Sequence, residues 1–246
     1  GTFGPNLRAQ VLILHYACQM TEAKIHTWLK QIGIDISEGT ISNMLIKGHD
    51  PFHQEESESY EASLAGSPWQ HIDDTGTRVN GENHYCHIVD SPLATHYQTT
   101  PSKSRLNVID VLSNGRRQRF RCNDEAFQIM KKLKTPQYAL KKLAKLSRNQ
   151  DYDQDFMDHW LSANLPRLND LQQRTILSSM AIAAYHAQTD YPVVKLLICD
   201  DAPQFRWITD ELALCWIHEG RHYKKLSPVI PYHQKQQQRF LRAFWR

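Results

Sequence analysis

Apolar and polar positions change period several times along this chain, and each change marks an element. From Asn6 to Met20 the residues Leu7, Val11, Leu14 and Cys18 recur at helical spacing. Thr21 is an N-cap for a second helix running to about Ile32, and Gly33 ends it. Ser37 then caps a short third helix, Glu38 to about Lys47, whose polar face carries Thr40, Asn43 and Lys47. At Trp69 the period becomes that of a strand: Trp69 to Val79, Asn83 to Val89, and Ala94 to Thr99. Asn80-Gly81 between the first two runs is a hairpin signal, so residues 69–100 are expected to form a three-stranded antiparallel meander. A helix follows from Ser104 to Leu112, closed by Asn114-Gly115. Further helices are expected over Asp155–Ala163 and Leu171–Gln188. After Tyr191-Pro192, the run from Val193 to Ile198 is apolar and partly β-branched, as a buried strand is. Pro203 and Phe205 open a region expected to be helical, continuing through Trp207 to His218.

The first three helices, with a glycine-containing turn before the last, have the outline of a helix-turn-helix, in which the last helix enters the DNA major groove. A small helical bundle has the same outline. Residues 51–68, with Pro51, Glu55-Glu56-Ser57-Glu58 and Gly66-Ser67-Pro68, read as an acidic connector with a short helix around Tyr60 to Leu64. The division expected is therefore 1–50 helix-turn-helix-like, 51–68 linker, 69–115 first part of a core, 116–190 helical insertion, and 191–246 second part of the core.

Charge alters this picture in one place. The net charge of +3 is too small to indicate nucleic-acid binding by itself. Residues 116–148, however, carry eleven basic residues against two acidic ones. Lys141, Lys142 and Lys145 lie at helical spacing beside Leu140, Leu143 and Leu146, which makes an amphipathic basic helix suited to phosphates or simply to solvent. The five cysteines are scattered and form no CxxC pair, which fits a reducing, cytoplasmic setting, and no apolar run is long enough to span a membrane. Asp151-x-Asp153-x-Asp155 hints at a calcium loop, but Phe156 stands where glycine belongs and Ser162 where the bidentate Glu belongs.

Two strand candidates far apart in sequence each run into a pair of carboxylates: His71-Ile72-Asp73-Asp74-Thr75 and Leu196-Leu197-Ile198-Cys199-Asp200-Asp201. Carboxylates delivered by rigid strands are what a hard divalent cation needs, and such sites run phosphoryl transfer. Either pair alone is also what a turn or helix cap uses. A meander, a helix and a later buried strand ending in Asp follow the order of a ribonuclease H-like domain. That makes the expected fold class α/β: a ribonuclease H-like core of mixed sheet and helices with a helical insertion, preceded by the all-α segment.

The text around these acids goes further. His71-Ile72-Asp73-Asp74-Thr75-Gly76-Thr77-Arg78-Val79, Cys199-Asp200-Asp201-Ala202-Pro203-Gln204-Phe205 and Cys215-Trp216-Ile217-His218-Glu219-Gly220-Arg221-His222-Tyr223 together resemble the DDE transposases of bacterial insertion sequences, nearest the insertion-sequence sixty-six type. The resemblance implies metal-dependent DNA cleavage and strand transfer at insertion-sequence ends. It places the catalytic, metal-binding roles on Asp73 and Asp200, with Mg2+ or Mn2+ as cofactor, and leaves Asp74 in a variable neighbouring slot. It implies double-stranded DNA, as terminal repeats and target, for a partner, and a homo-oligomer in the complete protein. Cys215 and His218 match a CxxH motif, read here as structural because two ligands make half a zinc site. The third acid of the family, a Glu on a downstream helix, has no counterpart before Arg246, and Glu211 and Glu219 stand too close to Asp200 to fill its place. An incomplete, inactive site is therefore expected of this chain. The alternatives are a DNA-binding remnant or repressor-like protein without catalysis, and a ribonuclease H-like nuclease.

Overall fold

The computed structural model describes residues 3–246 and divides the chain into two compact units, Gly1–Glu58 and Ser59–Arg246. In the first unit α1 (Pro5–Leu12) starts on Pro5, α2 (Glu22–Gln31) is capped by Thr21, and α3 (Glu38–Ile46) is capped by Ser37, whose hydroxyl accepts the Thr40 N–H. Gly33, between α2 and α3, has φ +84°, a conformation that an L side chain strains. Val11, Ile25, Leu29, Ile36, Ile41 and Leu45 form a small core of their own. The first helix expected to reach Met20 widens instead into a π-turn, Ile13–Ala17, where the Cys18 N–H bonds back to the Ile13 carbonyl.

The acidic stretch differs from expectation. Rather than a connector, Asp50–Gly66 is one helix, α4. Pro51 sits in its first turn, where a missing N–H costs nothing, Glu55, Glu56 and Glu58 face solvent, and the next turns bury Tyr60, Ser63 and Leu64. The Tyr60 hydroxyl donates to the Val111 carbonyl at 3.1 Å. Burial of that short apolar stripe is what makes the charged segment worth ordering.

The second unit is a mixed α/β structure around a five-stranded sheet. Strands β1 (Gln70–Val79), β2 (Glu82–Asp90) and β3 (Thr95–Thr100) form the expected antiparallel meander, with Asn80 and Gly81 both at positive φ in the hairpin. Next comes α5 (Arg105–Leu112), capped by Ser104. Two short strands, β4 (Phe120–Arg121) and β5 (Asp151–Tyr152), pair with each other and bracket α6 (Asp124–Lys132) and α7 (Gln137–Leu143). Helices α8 (Gln154–Asn164) and α9 (Asp170–Ala187) follow. The chain then returns to the sheet with β6 (Leu196–Cys199), a 3-10 turn at Pro203–Phe205, and β7 (Glu211–Leu214), and ends in α10 (Trp216–Lys225) and α11 (Pro231–Phe244). Strand order is β3-β2-β1-β6-β7, with β1, β6 and β7 mutually parallel.

Three boundaries differ from the sequence reading. The strand expected from Val193 starts at Leu196, because the Tyr185 hydroxyl rather than a strand takes the Val194 N–H, at 2.9 Å. The region expected to be helical from Pro203 to His218 contains β7, which four residues of alternating pattern could not announce without β6 as partner. The basic helix is also short: α7 stops at Leu143, so Lys145 lies in the turn beyond it.

One face of the sheet is packed. Ile72, Val89, Leu197 and Cys199 meet Val108, Val111 and Leu112 of α5 and Ile176, Met180, Ile182 and Tyr185 of α9 in one cluster. His186, at the end of α9, has its Nδ1 2.6 Å from Glu125 Oε1 and its Nε2 2.8 Å from the Ile208 carbonyl. Both ring nitrogens face acceptors, so only the imidazolium satisfies both. Burial opposes that charge, but the bonds to Glu125 and Ile208, with Glu125 and Asp210 nearby, outweigh it and the His186 pKa is raised. A raised folded pKa gives stability that is fully present below the unfolded value, about 6.5, and is lost as pH rises through the folded value. Thermal melts of wild type and His186→Gln should therefore differ most near pH 5 and converge as pH rises past the raised folded value. A difference that stays constant across that range contradicts the charged clamp.

Candidate active site

Alternation along β1 puts Gln70 and Ile72 into the packed face and His71 and Asp73 onto the opposite face. On β6, Leu197 and Cys199 are buried, so Asp200, the next residue, turns to the same side as Asp73. The parallel register pairs Gln70 with Leu197 and His71 with Ile198. Asp200 directly follows the end of β6, and the same register continued past that end runs level with Asp73. The strand pairing thus joins segments more than a hundred positions apart.

Each acid is held locally. The Asp73 carboxylate accepts the Asp74 N–H at 2.9 Å, and Asp200 Oδ1 accepts the Ala202 N–H at 3.0 Å, the turn-forming role open to any strand-terminal Asp. From α10, whose N-cap is Cys215, His218 brings its Nε2 to 3.8 Å from Asp73 Oδ2. Arg221 Nη1 lies 3.2 Å from the same ring nitrogen, while His218 Nδ1 and His71 Nε2 are buried without a partner.

The neighbouring acids behave differently from the two just described. Asp74 is largely buried and bridges two loops, accepting from Lys103 Nζ at 3.4 Å and Gln204 Nε2 at 3.3 Å. Asp201 is exposed and pairs with Arg206 at 3.0 Å. Lys103 and Gln204 escaped the sequence reading because nothing in their local pattern announces a partner about thirty and a hundred and thirty residues away.

Burial governs two further titratable groups near these strands. Burial, with Asp200, Asp201 and Cys215 adding to it, pushes the Cys199 thiol up to about 12, so it is a packing group and not a nucleophile. His87 is fully buried, with Nε2 2.8 Å from Thr100 Oγ1; burial pushes its pKa down despite Asp74 and the Ser102 backbone, and it is neutral. A cavity of about 500 Å³ lies elsewhere, lined by Arg116, Arg117, Arg119, Tyr185 and Tyr191 among others. Its arginines already face Glu61, Asp153, Asp155 and Asp190.

Carboxylates on one face suit a hard divalent cation by chemistry and fall short by number. Among the described residues no three of His, Cys, Asp and Glu are grouped to hold a metal ion.

The residues expected to meet DNA are spread more widely. In α3 Asn43 is exposed, Thr40 is half-buried with its hydroxyl 2.8 Å from that of Ser37, and Lys47 is the exposed residue just past the helix, its carbonyl accepting from Arg8. Ile46, one turn from Asn43, is 67% exposed. Lys141 and Lys145 are exposed, and Lys142, also exposed, donates to the Asn164 carbonyl.

Residues 1–121, just under half the chain, match the family model described as Transposase IS66 family. The match bears out the resemblance over that span, which includes Asp73 and excludes Asp200. A curated relative, the uncharacterized protein y4jO of Sinorhizobium fredii (strain NBRC 101917 / NGR234), is 27% identical over 185 residues, 75% of this chain and 57% of the relative. The chain thus spans little more than half the length of that relative. No solved structure matches the chain. Among the described residues no helix is long and apolar enough to cross a membrane.

The contrast between adjacent acids is measurable. Asp74→Ala removes two bonds from a largely buried carboxylate and is expected to cost roughly 1–3 kcal/mol. Asp201→Ala removes an exposed ion pair and is expected to cost under about 0.5 kcal/mol. Chemical denaturation of the two variants checks this; equal losses contradict the division of roles.

Proposed function

We propose, from the Transposase IS66 family match over residues 1–121 as premise, that this chain carries the nucleic-acid-binding unit and the first two metal-binding acids of a DDE transposase. The observation that supports this reading is the parallel pairing of β1, which holds Asp73, with β6, which Asp200 directly follows. Strand order β3-β2-β1-β6-β7, with β2 alone antiparallel to both its neighbours, supports a ribonuclease H-like core, and β4 to α9 then form an insertion between its two parts.

In this reading Asp73 and Asp200 hold Mg2+ or Mn2+. When bound, such ions activate an attacking hydroxyl and stabilise the leaving oxygen of a phosphodiester. The chain's own contribution is positional. The two strands fix the spacing of the carboxylates, the bonds from Asp74 N–H and Ala202 N–H fix their rotation, and α10 holds His218 against Asp73. Asn43 on α3 and the lysines on and after α7 bind duplex DNA, the first as a groove contact and the others through phosphates. A reading without catalysis, in which the chain only occupies DNA, draws on the two-acid count at the site.

Two measurements test these readings. In the full-length protein, Asp73→Asn or Asp200→Asn is expected to abolish Mn2+-dependent cleavage of insertion-sequence ends and to leave duplex binding within about twofold, since neither acid contributes to phosphate attraction. Retained cleavage overturns the site assignment. Replacing Lys141, Lys142 and Lys145 by Ala is expected to lower the slope of log affinity against log salt by roughly one for each phosphate that is no longer neutralised. An unchanged slope makes that surface a solvated face.

A further inference from the structure

Besides Arg221 on α10, the rim that carries the acids holds Lys103, Arg105 and Arg206, and Lys103 and Arg206 have acidic partners. Lys103 faces Asp74 and Arg206 faces Asp201. Arg105, by contrast, has no carboxylate partner among the described residues. Its guanidinium lies over the indole of Trp207, 5.3 Å from the ring centroid. Its Nη2 donates to the Pro203 carbonyl at 2.5 Å, and its Nε is buried with no hydrogen-bond partner. The inner edge of this guanidinium is withdrawn from water without a counter-charge, which is costly, while the stack on Trp207 and the bond to Pro203 hold it in place.

Its surroundings add to the positive potential. Arg105 is the first residue of α5, whose first turn contains no acid, so it adds a full charge to the positive end of the helix. Arg206 is close enough that, after burial, it also pushes the Arg105 pKa downward. Trp207, the stacking partner, is held at φ +69°, a left-handed conformation that bulky side chains rarely adopt.

Position supplies the ligand class. Pro203, to which Arg105 is tied, follows Asp200 by three residues, and Lys103, two residues before Arg105, reaches the residue next to Asp73. We propose that Arg105, stacked on Trp207 and tethered to Pro203, is a phosphate-binding residue that takes one phosphodiester of the nucleic-acid strand presented to Asp73 and Asp200. The Nη end of a planar guanidinium, the side of Arg105 that reaches the surface, can meet two phosphate oxygens at once, which an ammonium does not. The inference rests on the nucleic-acid reading of this rim and adds the residue that anchors the strand there.

The test uses the chain as it stands. A fluorescein-labelled duplex is titrated at several salt concentrations with wild type, Arg105→Gln and Arg105→Lys. The Arg105→Gln protein is expected to bind about tenfold more weakly, with a salt slope lower by about one. Arg105→Lys is expected to keep the slope and bind a few-fold more weakly. Inorganic phosphate in the same assay separates the sources: a phosphodiester site is displaced by duplex, with free phosphate competing only at concentrations where salt itself does. An equimolar effect of free phosphate overturns the strand assignment.

A second measurement needs no variant and holds even if Arg105→Gln fails to fold. Phenylglyoxal modification of wild type is read by peptide mass spectrometry, and saturating duplex is expected to slow labelling of Arg105 at least about fivefold, beyond the effect of matched salt. Equal labelling with and without duplex overturns the proposal, as does an Arg105→Gln slope equal to wild type in a folded protein. Wild type that binds no duplex at low salt removes the nucleic-acid reading itself, whereas wild-type binding with an unprotected Arg105 removes only this residue from it.

Discussion

Everything specific about the site depends on the parallel pairing of β1 with β6. Pairing of Gln70 with Leu197 and of His71 with Ile198 sets the register between the strand that holds Asp73 and the strand that Asp200 follows. A slip of one residue would send Asp200 to the packed face and Cys199 to the open one, because side chains alternate along a strand. The register is protected by burial: Ile72, Leu197 and Cys199 are almost fully enclosed. The apolar residues under the sheet therefore decide where the carboxylates above it stand.

Parallel strands require a long connection, and this chain uses it. Between β3 and β6 lie α5, the paired β4 and β5, and the helices α6 to α9, of which α9 lies against the sheet core along Ile176 to Tyr185. The end of α9 is fixed by His186 between Glu125 and Ile208, which ties the insertion to the segment leading into β7. Ordering the insertion and ordering the site are consequently one packing problem.

Local chemistry was legible wherever a residue type dictates it alone. Thr21 and Ser37 cap the helices they were expected to cap, and Asn80-Gly81 turns the hairpin. The two Asp-Asp pairs also stood out, one inside β1 and the other just past the end of the apolar run of β6. What could not be read were features made by a distant partner. β7 is a strand because β6 lies beside it, α4 is a helix because Tyr60 and Leu64 have a core to enter, and Val193 to Lys195 stay out of the sheet because Tyr185 claims Val194. The same holds at the site, where the separate roles of Asp73 and Asp74 depend on which face each occupies and on Lys103 and Gln204, neither adjacent in sequence.

The central claim is that Asp73 and Asp200 act together as one cation-binding pair, and Mn2+ titration followed by electron paramagnetic resonance tests it most directly. Wild type is expected to show one weak saturable site, in roughly the millimolar range, since carboxylates are few. That site should vanish in both Asp73→Asn and Asp200→Asn and persist in Asp201→Asn. Saturable binding that survives in either of the first two variants, or no saturable binding by wild type, contradicts the account.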